Sequence, residues 1–157
     1  MLDWLKQLLF YGIAIAAVWA AIVYIPRFKR VAVSGDYTEI VGIDTVKDYP
    51  LDATATLATL NHGDGICYQL ADDGDLAVRL GWIAGLPGDL LVSDSKGKLT
   101  VNGKPVAHGE DIPGPPYGPL VVPAGHFVVV TDSHQSDSIK NGPLPVIALK
   151  GKIGDIP

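Results

Sequence analysis

Chemistry in this 157-residue chain would need a nucleophile, an acid–base pair or a cluster of ligands. The single cysteine, Cys67, excludes an intrachain disulfide and any multi-cysteine zinc or iron–sulfur site. It alternates with Ile66 and Tyr68 and reads as a small buried hydrophobe. The four histidines, His62, His108, His126 and His134, are scattered singly and offer no metal-ligand spacing. His126 lies in an apolar run, as a strand histidine does. Asp72, Asp73 and Asp75 straddle Gly74. They read as a solvated hairpin tip, with calcium binding as the alternative chemistry. Asp137 and Ser138 are residue types whose side chains bond their own backbone, and they read as turn builders. No cofactor and no metal are implied.

Two parts of the chain would position these residues. Residues 7–26 carry no charge, and at ~1.5 Å each they match a bilayer core of about 30 Å. Residues 1–30 therefore read as an N-terminal transmembrane anchor with a basic flank, Arg27, Lys29 and Arg30. The apolar stretch exceeds the core of a cleaved signal peptide, and the basic cluster follows it, so a retained anchor is expected. Residues 31–157 then make one compact domain. Of the 12 Lys/Arg and 17 Asp/Glu, four and one lie in the first 30 residues. The domain keeps 8 cations against 16 anions, a net of −8. Such a surface repels phosphate backbones, so nucleic acid is not an expected partner. The apolar share of 48% argues against disorder.

The domain reads as β. Its glycines and prolines punctuate short apolar runs, and no long helical stripe appears. Strands are expected at 31–33, 39–46, 65–70, 76–84, 89–92, 98–101, 105–106, 120–122 and 126–131. Residues 53–60 fit either a short helix or a strand. Asn102-Gly103 is a type I′ hairpin signal. Residues 113–119 form a Pro-rich surface loop. The expected fold is mainly β, an antiparallel β-barrel or sandwich behind the anchor.

Several short motifs follow one another in a fixed order. Gly63-Asp64 opens the strand GICYQL, and Gly85-Leu86-Pro87-Gly88-Asp89 (GLPGD) leads to VNGKPV. VVPAGHFVVVTD and SDSIKNGPLP close the series. In this order and spacing the chain resembles the signal peptidase I family, including its conjugation-type, pilin-processing relatives. The resemblance covers about residues 30–153. It implies a signal-peptidase-like β domain on the trans face of the plasma (inner) membrane. The implied chemistry is a serine nucleophile served by a lysine base, cutting an extended signal peptide after small residues. A lysine serves as base only where burial lowers its pKa. The positive-inside rule, applied to Arg27, Lys29 and Arg30 against Lys6 and the N-terminal amine, favours the opposite orientation. The expectation follows the family, with the domain periplasmic or extracytoplasmic.

Carried over residue by residue, the resemblance leaves gaps. Counting back from GLPGD puts the lysine position on Gly81 and the next family Arg on Trp82. Arg79 is near but stays protonated. Trp82 would plug the space of the missing lysine or sit as an interfacial aromatic. The nucleophile position falls on Ser34 in one register, with Thr38 and Gly42 also matching. It falls on Asp36 in a second register and on Ala55 in a third. Asp137-Ser138 match the family's Asp-Ser pair, while Ile139 stands where the family has Arg. The serine that orients the base falls on Gln135 or Ser136. The candidate catalytic residues are therefore Ser34, Asp137 and Ser138, with Gly81 marking the absent base. Two functions follow. One is a degenerate member that serves as a binding or structural subunit of a membrane complex, in contact with lipid and with a membrane protein or exported peptide. The other is an active serine endopeptidase that processes signal peptides or pilin precursors with a base from elsewhere.

Overall fold

The computed structural model describes residues 2–24, 28–32, 40, 48–73, 78–112 and 116–154. Helix α1 runs Leu2–Tyr24. Its described apolar side chains, from Leu9 to Ala20, lie open to the surroundings. That stretch covers ~18 Å at ~1.5 Å per residue. Among the described residues no helix is long and apolar enough to cross a membrane. The span expected over 7–26 ends in residues 25–26, outside the described ones.

Among the described residues eleven strands follow: β1 (Phe28–Ala32), β2 (Asp48–Asp52), β3 (Gly65–Tyr68), β4 (Arg79–Gly85), β5 (Leu90–Ser93), β6 (Leu99–Val101), β7 (Lys104–Pro105), β8 (Leu120–Val121), β9 (His126–Val130), β10 (Leu144–Pro145) and β11 (Leu149–Ile153). A one-turn helix, α2 (Ser138–Asn141), lies between β9 and β10. Seven strands form one antiparallel sheet in the order β1-β2-β11-β3-β4-β9-β10. Four form a second, β7-β6-β5-β8. The barrel half of the expectation is not met: among the described residues no ladder joins the two sheets. The flanking strands of the small sheet, β7 and β8, hold two residues each, too few to carry a ladder around.

The sheets bury one core between them. The large sheet contributes Leu51, Cys67, Leu80, Trp82, Val128 and Val130, the small sheet contributes Leu91, Leu99 and Val101, and Val122 joins them just past β8. A second cluster covers the outer face of the large sheet, where Ile66, Tyr68, Ile83, Phe127 and Val129 meet Leu60, Leu144 and Ala148. Strands β4 and β9 are thus buried on both faces. That accounts for their unbroken apolar runs, LGWIAG and FVVV, in place of an alternating pattern.

Local turn chemistry joins the sheets. Gly88 takes φ +90°, the i+2 conformation of a type II turn with Pro87 before it. The Asp89 N–H donates to the Leu86 carbonyl at 3.0 Å. Asn102 and Gly103 take φ +50° and +78°, which matches the expected type I′ hairpin between β6 and β7. Asp89 links the two turns. Its carboxylate accepts from the Leu86 N–H at 2.7 Å and from Asn102 Nδ2 at 2.6 Å. Asn102 Oδ1 in turn accepts from the Leu90 N–H at 2.9 Å.

Residues 53–60, whose sequence fits either a short helix or a strand, hold a single 3₁₀ turn at Leu57–Thr59. The strand expected at 39–46 lies outside the described residues except Ile40, which is buried. The sequence did not announce β2, β10, β11 or α2. Strand β2 reads DYPLD, and a proline inside it argues against a central strand. Here the Pro50 carbonyl accepts from Gly154 N at 3.4 Å. The missing N–H therefore points to the same side, just past the end of β11, where it breaks no ladder.

Asp89→Ala removes the acceptor shared by the two turns and should lower stability by about 1–3 kcal/mol, measured as a fall in Tm. Burial pushes the Asp89 carboxyl up, but the hydrogen bonds from His62, the Leu86 N–H and Asn102 together outweigh it and hold the carboxyl below its ordinary value. A depressed folded-state pKa means that the unfolded chain binds more protons. This stabilisation should be complete above the unfolded value of ~3.9 and fade as pH falls through the folded one. Asp89→Ala should lose that part of the acid sensitivity.

Candidate functional site

Position 81 is closed by its neighbours. Gly81 lies opposite Ile66 in β3, on the outer face of the large sheet. A Cβ there would overlap Val129 Cγ2 and stand 3.0 Å from the Val130 carbonyl and 3.3 Å from Tyr68 Cε1. The space beside the expected base position is therefore filled by Val129 and Tyr68. Trp82, expected as the plug, alternates to the opposite face of β4. Its ring stacks on His108 with centroids 4.3 Å apart and planes 12° apart. Ser34 lies outside the described residues, as do Asp36 and Thr38.

Asp137 and Ser138 are both fully buried and are held by backbone groups. Asp137 caps α2, accepting the Ile139 N–H on Oδ1 at 2.9 Å and the Thr131 N–H on Oδ2 at 2.9 Å. His134 Nδ1 lies 2.6 Å from the same Oδ2. Ser138 Oγ accepts the Val129 N–H at 3.0 Å. Each side chain satisfies buried N–H groups that no ladder takes up, at Val129 beyond the reach of β10 and at Thr131 past the end of β9, as buried polar groups require.

The turn is tied to the start of β4 by an arginine. Arg79 Nη1 donates to Ser136 Oγ at 2.8 Å. Its Nε and Nη2 donate to the Asp73 carboxylate at 2.8 and 2.7 Å, the planar two-point geometry that favours Arg over Lys. Tyr68 OH donates to the Ser136 carbonyl at 3.3 Å. Asp73 was expected at a solvated hairpin tip with Asp72 and Asp75. Its side chain is instead only 6% exposed, and the Arg79 hydrogen bond holds its carboxyl below the usual range. Asp75 lies outside the described residues. Arg79, near the expected base position in the sequence, is a clamp on Asp73 and Ser136.

Beside this clamp opens a cleft of ≈440 Å³, lined by Leu70, Asp73, Asn141, Leu144, Ile147 and Lys150 among others. Ile147 stands 80% exposed at its lip. A smaller hollow of ≈260 Å³ lies by Trp82 and His108, where Lys152 Nζ pairs with Asp64 at 2.7 Å.

The remaining candidates are dispersed. Cys67 is buried, and desolvation pushes its thiol up to about 12, which removes it as a nucleophile at neutral pH. His62 Nε2 bonds Asp89 at 2.7 Å, and His126 Nδ1 lies 3.0 Å from the Ala124 carbonyl. Among the described residues no group of three or more His, Cys, Asp or Glu could hold a metal ion. No protein-family model matches the chain, and no curated protein sequence matches it.

Gly81→Ala should cost about 1–3 kcal/mol through overpacking against Val129, read as a lower Tm with the secondary structure retained. Arg79→Met removes the two-point partner of the Asp73 carboxylate, which keeps the Leu70 N–H at 2.9 Å, and should cost about 1–3 kcal/mol. Because Asp73 is depressed in the folded protein, its stabilisation is present above ~3.9 and is lost on acidification through the folded value. The stability of Arg79→Met should therefore fall less steeply than that of the unmodified chain in acid denaturation.

Proposed function

We propose that the chain is a membrane-anchored, signal peptidase I-like protein that lacks the Ser/Lys dyad and serves as a binding or structural subunit of a membrane complex. The observation that carries this reading is the closure of position 81. The residue in the base's place is glycine, and its surroundings leave no room even for a Cβ. A proton acceptor cannot act from a side chain that cannot be placed. The resemblance supports the family. Its GLPGD and VNG motifs are joined here through Asp89 and Asn102, so the two motifs act as one structural unit. A fold can persist after its site is lost.

In this reading residues 7–26 anchor the chain and the domain stands on the extracytoplasmic face. Support for the anchor comes from the uncharged sequence and from the open apolar side chains of α1; the orientation follows the resemblance alone. The open cleft beside Asp73 offers a hollow to an extended segment of a membrane protein or exported peptide. Its Leu70, Leu144 and Ile147 walls suit small apolar side chains.

The test uses the full chain in phospholipid vesicles with a precursor that carries a signal peptide. The expected result is an uncut precursor, with Ser34→Ala indistinguishable from the unmodified chain. Cleavage that disappears in Ser34→Ala would overturn the reading and establish an active serine endopeptidase with its base supplied from elsewhere. Protease protection in cells should expose the domain from the extracytoplasmic side. Protection from that side and digestion from the cytoplasm would reverse the orientation.

A further inference from the structure

His134 is buried with both ring nitrogens against oxygen. Nε2 lies 3.1 Å from the backbone carbonyl of Asp111. A carbonyl oxygen only accepts, so Nε2 carries a proton. Nδ1 lies 2.6 Å from Asp137 Oδ2, which already accepts the Thr131 N–H. A second proton must lie between Nδ1 and Oδ2. A neutral ring with an ionised Asp137 can serve only one of the two oxygens and turns a lone pair against the other.

The two partners belong to different sheets. Asp111 lies in a strap, Gly109–Ile112, that runs along the small sheet. Leu99 N donates to the Glu110 carbonyl and Ile112 N to the Gly97 carbonyl, each at 2.8 Å. Lys98 pairs with both strap carboxylates, Asp111 at 2.5 Å and Glu110 at 3.0 Å. Asp137 belongs to the turn that leaves β9 in the large sheet. At Gly109 the strap presses on that turn so closely that a Cβ would stand 2.8 Å from the Thr131 carbonyl.

We propose that His134 is a proton-operated latch. With two protons on the ring–carboxylate pair it ties the strap of the small sheet to the Asp137 turn of the large one, and with one proton it lets the strap go. The contact that yields is Nε2 to Asp111. Asp137 is fixed by two backbone N–H groups, so the neutral ring keeps its remaining proton on the carboxylate side. Among the described residues these titratable and charged groups face the pair. Asp137 favours the charged ring. The carboxylates of Asp111 and Glu110 are engaged by Lys98. Tyr117 OH is buried with no hydrogen-bond partner among the described residues, and burial, with the charge of Asp137, pushes its pKa up, so it stays neutral. Asp132, next to Thr131, is exposed. Burial opposes the ring's charge, and the carboxylate at 2.6 Å supports it.

The test is an NMR titration of the full chain, labelled at the histidine ring nitrogens, from about pH 6 to about pH 9, a range that spans the ordinary histidine value of ~6.5 and higher ones. Hydrogen exchange at the Leu99 and Ile112 amides is read in the same samples, relative to the β4–β9 ladder. Both His134 nitrogens should be protonated at the low end. When the second proton leaves, strap protection should fall about tenfold, the effect of one lost hydrogen bond from a charged donor. His134→Gln should lose this pH dependence and show weak strap protection throughout. A ring that holds a single proton at the low end overturns the latch, as does deprotonation with strap protection unchanged. The titration of the unmodified chain decides the matter even if His134→Gln does not fold, because ring and strap are read together.

Discussion

Strands β4 and β9 pair with both of their faces covered, and this ladder sets the spaces into which its neighbours must fit. One face of this ladder closes the core between the sheets and the other faces the cluster around Tyr68 and Phe127. A side chain on either strand must therefore fit a space that other residues already define, because interiors are packed as densely as crystals. Glycine at 81 is what this geometry requires where Val129 and Tyr68 converge. The same absence of a side chain lets the two strands pack.

The polar groups around this ladder follow a common rule. Asp137 and Ser138 serve the backbone of β9 and α2, Asp73 and Ser136 serve Arg79, and Asp89 serves Asn102 and Leu86. Residue types associated with chemistry are here spent on closing turns whose N–H groups would otherwise be buried without partners. The arrangement places most of the buried polarity at the ends of β4 and β9, where the ladders stop and the chain must leave the sheet.

Legibility in the sequence tracks how local the determining physics is. Gly88, Asn102 and Gly103 occupy positive-φ positions that few other residues accept, so GLPGD and VNG could be located without any tertiary information. The continuous apolar runs of β4 and β9 were equally plain. Strand β2 was hidden because Pro50 is tolerable only where β11 has ended, a fact of register rather than composition. Strand β11 reads LKGKI, an alternation interrupted by Gly151, whose Cβ would stand 2.6 Å from the Asp52 carbonyl. That glycine makes sense only once β2 is in place. The Arg79 clamp was illegible for a similar reason, since its partners come from 6 residues before it and 57 after it. The face on which Trp82 lies depended on strand parity, which was fixed by pairing with β3 and β9.

Cys67 carries one more consequence. The only sulfhydryl in the chain sits in the middle of the inter-sheet core, with no surface of its own and with its ionisation suppressed by burial. A thiol reagent can reach it only when the two sheets part. The rate at which it is alkylated therefore counts cooperative opening events of the native protein, with no label introduced and no second cysteine to confuse the count. The same seclusion protects it from oxidation in any compartment, so the chain can carry a free thiol without needing a reducing environment to preserve it.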